Sequence, residues 1–343
     1  MADHAAAYPV SGMHGADISV VVSSAKGISQ LRATLESVTA QKLAPLEVIV
    51  VHGEAAQHPL LPAGRHGLPP QVLHVAKGNG PQLRNAGLAA ARGHLVAFCD
   101  GGDLWKPGYL AAMAEMWRVE PGLRLAYGDV VPMRDGIWKA ERRFSQAPAG
   151  FWEGQRSLGP LMSVFDQPIV PRLLGFQPFQ PSALVAERRF LCAAGGWSAA
   201  PDQPAGDYAT ALHLVGHKPL GIMHRALVGV REDDVTPASL QAMHLNRAWV
   251  LEQALASSAP LQPCAAAVQA SICRHRRAAL DIAFASGDFH AVQEIAALLP
   301  KNRRPPPTRL KLGLARWPAP LRWAGSAALL GLASFRVMPR KPG

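Results

Sequence analysis

The chain has 343 residues, 49% of them hydrophobic and 17% charged, enough apolar material for one large domain or a domain with an appendage. Its net charge of +11 is uneven: ten of the 35 Lys and Arg lie in residues 301–343, which hold no Asp or Glu, so the remainder is close to neutral. That argues against a nucleic-acid-binding body and for a tail that meets an anionic surface.

Four cysteines (Cys99, Cys192, Cys264, Cys273) form no Cys-x-x-Cys pair, the usage of a reduced compartment. Residues 1–16 lack a basic start followed by an apolar core, which predicts a disordered leader and no signal peptide. Ile18–Ser23 reads as a buried strand, Leu31, Leu35 and Val38 recur at helical spacing, and Leu46–Val51 reads as a second strand. Strand, helix and strand in that order predict a parallel sheet. After a Gly-, Pro- and His-rich loop, Gln71–Val75 is a short third strand, and Gly80-Pro81 opens a helix to Arg92.

Leu95–Cys99 is an unbroken apolar run, the pattern of a strand buried on both faces. It leads directly into Asp100, and Asp103 follows across Gly101 and Gly102. Carboxylates at the carboxyl end of such a strand are where open α/β sheets bind ligands. The same residues also read as turn formers and a helix cap before Leu104. Residues 106–119 are then helical, and 124–131 form a strand whose Gly128-Asp129 reads as a turn or as a pair carried by the family named below, which it resembles. Residues 144–179 are irregular, aromatic and proline-spaced: either the acceptor side of a cleft or an ordinary covering of short helices. A strand near 180–190, the turn Gly195-Gly196-Trp197, a helix from Gly206-Asp207-Tyr208 to Val215 and a strand over Pro219–Arg231 follow. His213 and His217 stand at i, i+4 where that helix ends, and solvent-facing histidines are expected.

Past Thr236, helical segments at 237–258, 263–285 and 287–299 make a small appendage. Lys301–Pro307 is a basic, stiff linker. Leu310–Val337 alternates basic and apolar residues around an uncharged core, Trp323–Phe335, of thirteen residues. A bilayer span needs about 20. The segment therefore predicts either an interfacial amphipathic helix or a terminal helix packed on the body.

The wording from Ala91 to Pro107, with Leu83-Arg84-Asn85-Ala86-Gly87 upstream, resembles the nucleotide-sugar segment of family 2 glycosyltransferases. Each motif alone is weak, but their order and spacing are fairly specific, and the likeness covers roughly Ile18–Ser239. The resemblance implies a GT-A-like α/β domain over 17–236, with a mainly parallel sheet flanked by helices. A helical appendage over 237–300 and a basic amphipathic tail over 301–343 complete the chain. By the same resemblance Ser23, His52, Arg84, Asn85 and Asp100 adjoin the nucleotide sugar, and Asp207 is the catalytic base. Asp103 and Asp233 would then hold a divalent cation, Mn or Mg.

Three positions depart from the family pattern. His52 replaces the Asp that ends the second strand, Gly102 the second acid of the Asp-x-Asp motif, and Gly206 the first acid of the Glu-Asp-aromatic motif. The implied function is an inverting transfer from a nucleotide-sugar donor to a saccharide or lipid-linked acceptor, in surface polysaccharide or glycoconjugate assembly. Its expected place is cytoplasmic, at the inner face of a membrane contacted through the basic tail, with no nucleic acid as partner. The alternative is an inactive GT-A scaffold. The absence of GxxxxGK[ST], GxGxxG and GxSxG elements removes the common ATPase, dinucleotide and hydrolase readings.

Overall fold

The computed structural model describes residues 17–24, 28–53, 67, 69–76, 78–199, 205–232, 234–257, 259–318, 320–321, 325–326 and 329. The expected leader, Asp233 and most of the expected amphipathic core at 323–335 lie outside the described residues. The chain divides into two compact units, one ending at Glu232 and the other holding the residues from Asp233 onward.

The first unit runs β1 (Ile18–Ser24), α1 (Ile28–Thr39), β2 (Glu47–His52), β3 (Gln71–His74), α2 (Gly80–Ala90), β4 (Leu95–Asp100), β5 (Leu104–Trp105) and α3 (Tyr109–Val119). It continues through β6 (Leu125–Arg134), β7 (Ile137–Trp138), β8 (Arg156–Gly159), β9 (Met162–Phe165), α4 (Val170–Leu173), β10 (Leu184–Glu187), α5 (Arg188–Ala193), α6 (Gly206–Leu214) and β11 (Leu220–Arg231). The strands form one sheet in the order β3-β2-β1-β4-β10-β6-β11-β9-β8, with β5 on β11 and β7 on β6. β3, β2, β1 and β4 are mutually parallel, as are β6 and β11, whereas β10 lies antiparallel between β4 and β6.

Apolar runs explain the central strands. Val20, Val22, Ala97, Cys99 and Val185 face one layer built from Leu31, Leu35 and Val38 of α1 and Met113, Met116 and Trp117 of α3. The opposite face carries Val21 and Phe98, also fully buried, so β1 and β4 are covered on both sides. α2 lies against that second face. A Cβ on Gly87 would meet Val21 Cγ1 at 2.3 Å, so only glycine lets the helix approach β1 this closely. The helix start is fixed by Asn79, which forms a reciprocal capping box with Gln82 (3.0 and 2.9 Å), and by Pro81 in the first turn. One turn on, Arg84 and Asn85 sit beside the carboxyl ends of the parallel strands.

Two expectations change here. Leu104 does not open a helix: Leu104–Trp105 pairs with Val228 and Gly229 of β11, Lys106 N–H binds Leu227 O, and α3 begins only at Tyr109. Asp129 is not a turn residue either. It is fully buried within β6, and its Oδ1 accepts from Val130 N–H (2.8 Å) and Phe144 N–H (2.9 Å). This carboxylate ties the aromatic segment to the sheet. Phe144 packs on Trp152 and Tyr127 on Phe179, each with ring centroids 4.5 Å apart, so the segment after Phe144 is a packed aromatic cover.

The second unit contains α7 (Pro237–Ser257), α8 (Ala265–Ala285), α9 (Phe289–Ala297) and α10 (Pro306–Ala315). Its core joins Leu280, Phe284, Val292 and Ile295 to Leu312 and Leu314. Prolines expected to stiffen a linker instead begin α10, where a missing N–H costs nothing. Leu312, Leu314 and Ala315 of α10 are buried in this core. Among the described residues no helix is long and apolar enough to cross a membrane.

Candidate functional site

The carboxyl ends of the parallel strands place polar groups in one row. His74 is in register with His52, His52 with Ser24, and Ser23 with Asp100. Ser23 Oγ donates to Asp100 Oδ1 at 2.6 Å, and Arg84 of α2 reaches the same carboxylate through Nε (2.9 Å) and Nη2 (2.5 Å). Arg84 Nη1 then donates to Asp207 Oδ1 at 2.6 Å. One guanidinium therefore joins two acids distant in sequence, Asp100 ending β4 and Asp207 in the first turn of α6.

The electrostatics follow from burial. Arg84 is only 4% exposed at its side chain, against 29% for Asp100 and 46% for Asp207. Burial opposes its charge, but Asp100 and then Asp207 outweigh that and hold the guanidinium above its ordinary range. The Trp197 ring lies 4.5 Å from Arg84 Cζ and meets Phe98 edge-on at 5.1 Å. Asn85, also expected beside the donor, binds Trp197: its Nδ2 donates to Trp197 O and its Oδ1 accepts from Trp197 N–H, both at 2.8 Å. It brackets the wall that supports Arg84. Burial pushes the Tyr127 phenol up, and the Asp207 charge pushes it further.

Asp103 sits deeper. Its Oδ2 accepts from Ser182 Oγ at 2.5 Å and its Oδ1 from Arg231 N–H at 2.8 Å. Ser182 Oγ also accepts from Asp100 N–H at 2.9 Å, linking the two acids. Burial first, then the Asp100 charge, raises Asp103 to about 7, against the lowering by Ser182, Arg231 N–H and Arg84. Between the acids, Gly102 takes φ +106°, and its N–H binds Thr34 Oγ1 at 2.9 Å. L side chains rarely adopt that conformation. The missing second acid of the motif is thus a property of the backbone path as well as of the side chain.

Divalent cations require several hard oxygen ligands free to coordinate. Both Asp100 oxygens bind Arg84, and both Asp103 oxygens are hydrogen-bonded. Among the described residues no group of three or more His, Cys, Asp or Glu is placed to hold a metal, and Asp233 lies outside them. The described residues alone do not fit a resident cation.

His52 is half-buried and its ring lies 5.3 Å from that of His74, an imidazole pair at the sheet's end. His213, in the last turn of α6, is exposed and His217, past the helix end, partly so, with rings 5.0 Å apart. Ser182, Thr34 and Tyr127 went unmarked in the sequence. Ser182 lies in an ordinary Gln-Pro-Ser stretch and Thr34 in the first helix, and only the fold brings them to the acids.

Residues 19–165 match the model of glycosyl transferase family 2. An uncharacterized glycosyltransferase, YwdF of Bacillus subtilis (strain 168), is 33% identical over 99 residues, 29% of this chain and 37% of that protein. Another, alr2836 of Nostoc sp. (strain PCC 7120 / SAG 25.82 / UTEX 2576), is 30% identical over 105 residues, 29% and 33% of the two chains. The chain thus spans little more than a third of the curated relatives it matches. Among solved structures, S. aureus TarS 1-349 in complex with UDP-GlcNAc is 13% identical with a TM-score of 0.54, covering 90% of this chain and 88% of its own. Mannosyltransferase PcManGT from Pyrobaculum calidifontis, in complex with GDP-Man and Mn2+, is 18% identical with a TM-score of 0.51, covering 91% and 86%. These likenesses bear out the GT-A-like α/β fold. The family match ends before Asp207.

Proposed function

We propose, from the match of residues 19–165 to the model of glycosyl transferase family 2, that the chain transfers a sugar from a nucleotide-sugar donor to a saccharide or lipid-linked acceptor with inversion. The observation that carries this reading is the Arg84 bridge, which joins the acid at the expected donor side, Asp100, to the expected base, Asp207. The TarS and PcManGT structures hold UDP-GlcNAc and GDP-Man, which favours a nucleoside diphosphate sugar as donor.

In this reading Ser23 and Arg84 orient Asp100 at the donor, and the His52–His74 edge stands where the base of the nucleotide rests. The acceptor oxygen attacks the anomeric carbon, the bond from that carbon to the diphosphate oxygen breaks, and the acceptor proton passes to Asp207. Arg84 holds Asp207 Oδ1, leaving Oδ2 directed to the reaction, and 46% exposure lets an acceptor reach the carboxylate. Two carboxylates around one guanidinium leave this cluster net negative, so a diphosphate binds there only with added positive charge. A divalent cation entering with the donor would supply it, and PcManGT carries Mn2+.

We extend the reading to the second unit. Leu310, Trp317 and Leu321 are about half exposed beside Arg309 and Arg316, a surface suited to anionic lipid at the cytoplasmic face of a membrane.

The test is calorimetric titration of the folded full chain with a panel of nucleoside diphosphates and their sugars, with and without Mn2+ or Mg2+. One nucleotide should bind, more tightly with metal. No binding across the panel would leave the scaffold reading.

A further inference from the structure

The first unit has a second concavity at the opposite end of β4. It encloses about 240 Å³ and is lined by Arg92, Gly93, His94, Glu187, Arg188 and Arg189. Glu187, the last residue of antiparallel β10, is in register with Leu95, the first residue of β4. Chain direction therefore brings the segment before β4 and the start of α5 to the same end. Arg188 N–H binds His94 O at 2.9 Å, and Arg188 Nε donates to Gly93 O at 3.1 Å. At about 3.3 Å per residue, the length of β4 sets this pocket roughly 17 Å from Asp100.

The charge is concentrated rather than general, since the chain outside residues 301–343 is nearly neutral. Three arginines and a histidine line the pocket against one carboxylate, Glu187. Arg92 is also paired with the buried Glu47, its Nη2 2.9 Å from Oε2, and Arg92 Nε donates to Oε2 at 3.0 Å. Arg188 uses Nε to fix itself on Gly93 O, and its guanidinium also carries a planar Nη fork. Such a fork matches phosphate oxygens. At about 30 Å³ per water, the cavity equals about eight waters. That is room for a phosphoryl group with a short ester.

We propose that this pocket is a phosphate-binding site, occupied by the phosphate of a lipid headgroup or of a soluble phosphate ester. It is separate from the donor end and does not rest on the transferase reading.

The experiment compares the full chain with Arg188→Gln and Arg189→Ser by thermal shift in sodium phosphate, against sodium chloride of equal ionic strength. A vesicle pull-down on phosphatidylglycerol against phosphatidylcholine accompanies it. Phosphate should stabilise the native chain saturably, with half-saturation at least tenfold higher in either variant. If Arg188→Gln unfolds through loss of the Gly93 bond, Arg189→Ser still reports. Weaker binding of the variants to phosphatidylglycerol, with phosphate competing, identifies the lipid. Unchanged vesicle binding with a lost phosphate response identifies the soluble ester. If neither measurement separates the variants from the native chain, the site is disproved.

Discussion

Arg84 donates to Asp207 at 2.6 Å while its other nitrogens clasp Asp100, so the acid that ends β4 and the acid that begins α6 share one buried cation. Removing either side of such a pair leaves the rest uncompensated, and that asymmetry governs the first expectation. Arg84→Met should destabilise the protein by about 3–5 kcal/mol, because Asp100 would keep its charge without its partner. Asp207→Asn should cost far less, since Asp207 is nearly half exposed and solvent screens it. Chemical denaturation of both variants checks the ordering. Equal losses would contradict it.

Gly102 yields a second expectation. Gly102→Asp restores the family's Asp-x-Asp pattern in sequence but forces an L side chain to φ +106°. We expect a loss of about 1–3 kcal/mol and no gain of metal affinity. A variant of unchanged stability that binds Mn2+ would show that the loop rearranges freely.

Asp103 makes stability depend on pH. Its folded value of about 7 lies above the ordinary 3.8, so the folded state holds the proton more tightly than the unfolded chain. Its contribution is fully present below about pH 4 and is lost as pH rises through about 7. Asp103→Asn keeps an acceptor for Arg231 N–H and removes the titration. The native Tm should fall relative to the variant's between pH 4 and pH 7, and a constant difference across that range would rule the assignment out.

Asn85 is expected to act through Trp197. Asn85→Ala removes both 2.8 Å bonds to the Trp197 backbone and loosens the ring beneath Arg84. The expected cost is about 1–3 kcal/mol, with a change in Trp fluorescence that Asn85→Asp partly restores. Donor affinity lost at full native stability would instead place Asn85 on the nucleotide.

The elements that reported themselves in sequence are those whose patterns are local. Val20–Val22 and Leu95–Cys99 are apolar because both their faces are covered, and Gly80-Pro81 opens a helix because proline suits a first turn. What stayed hidden depends on distant partners. Asn85 and Arg84 are neighbours that read alike, yet α2 turns one toward Trp197 and the other toward two acids. Asp103 looked like a free ligand because nothing in its own segment announces Ser182 or Arg231, 79 and 128 residues away. Antiparallel β10 has the composition of any buried strand, so its insertion between β4 and β6 was not legible. Asp129 sits beside a glycine, a common turn signal, while its role is to hold Phe144 from within a strand.

The most direct measurement is the rate at which a bound nucleotide sugar releases its nucleoside diphosphate, in the native chain and in Asp207→Asn, beside calorimetric affinities for both. The predicted result is donor binding within a few-fold in the two proteins, with release slowed about 10²–10⁴-fold in the variant. Equal release rates would remove Asp207 from the chemistry, and a folded native chain that binds no donor would contradict the transferase itself.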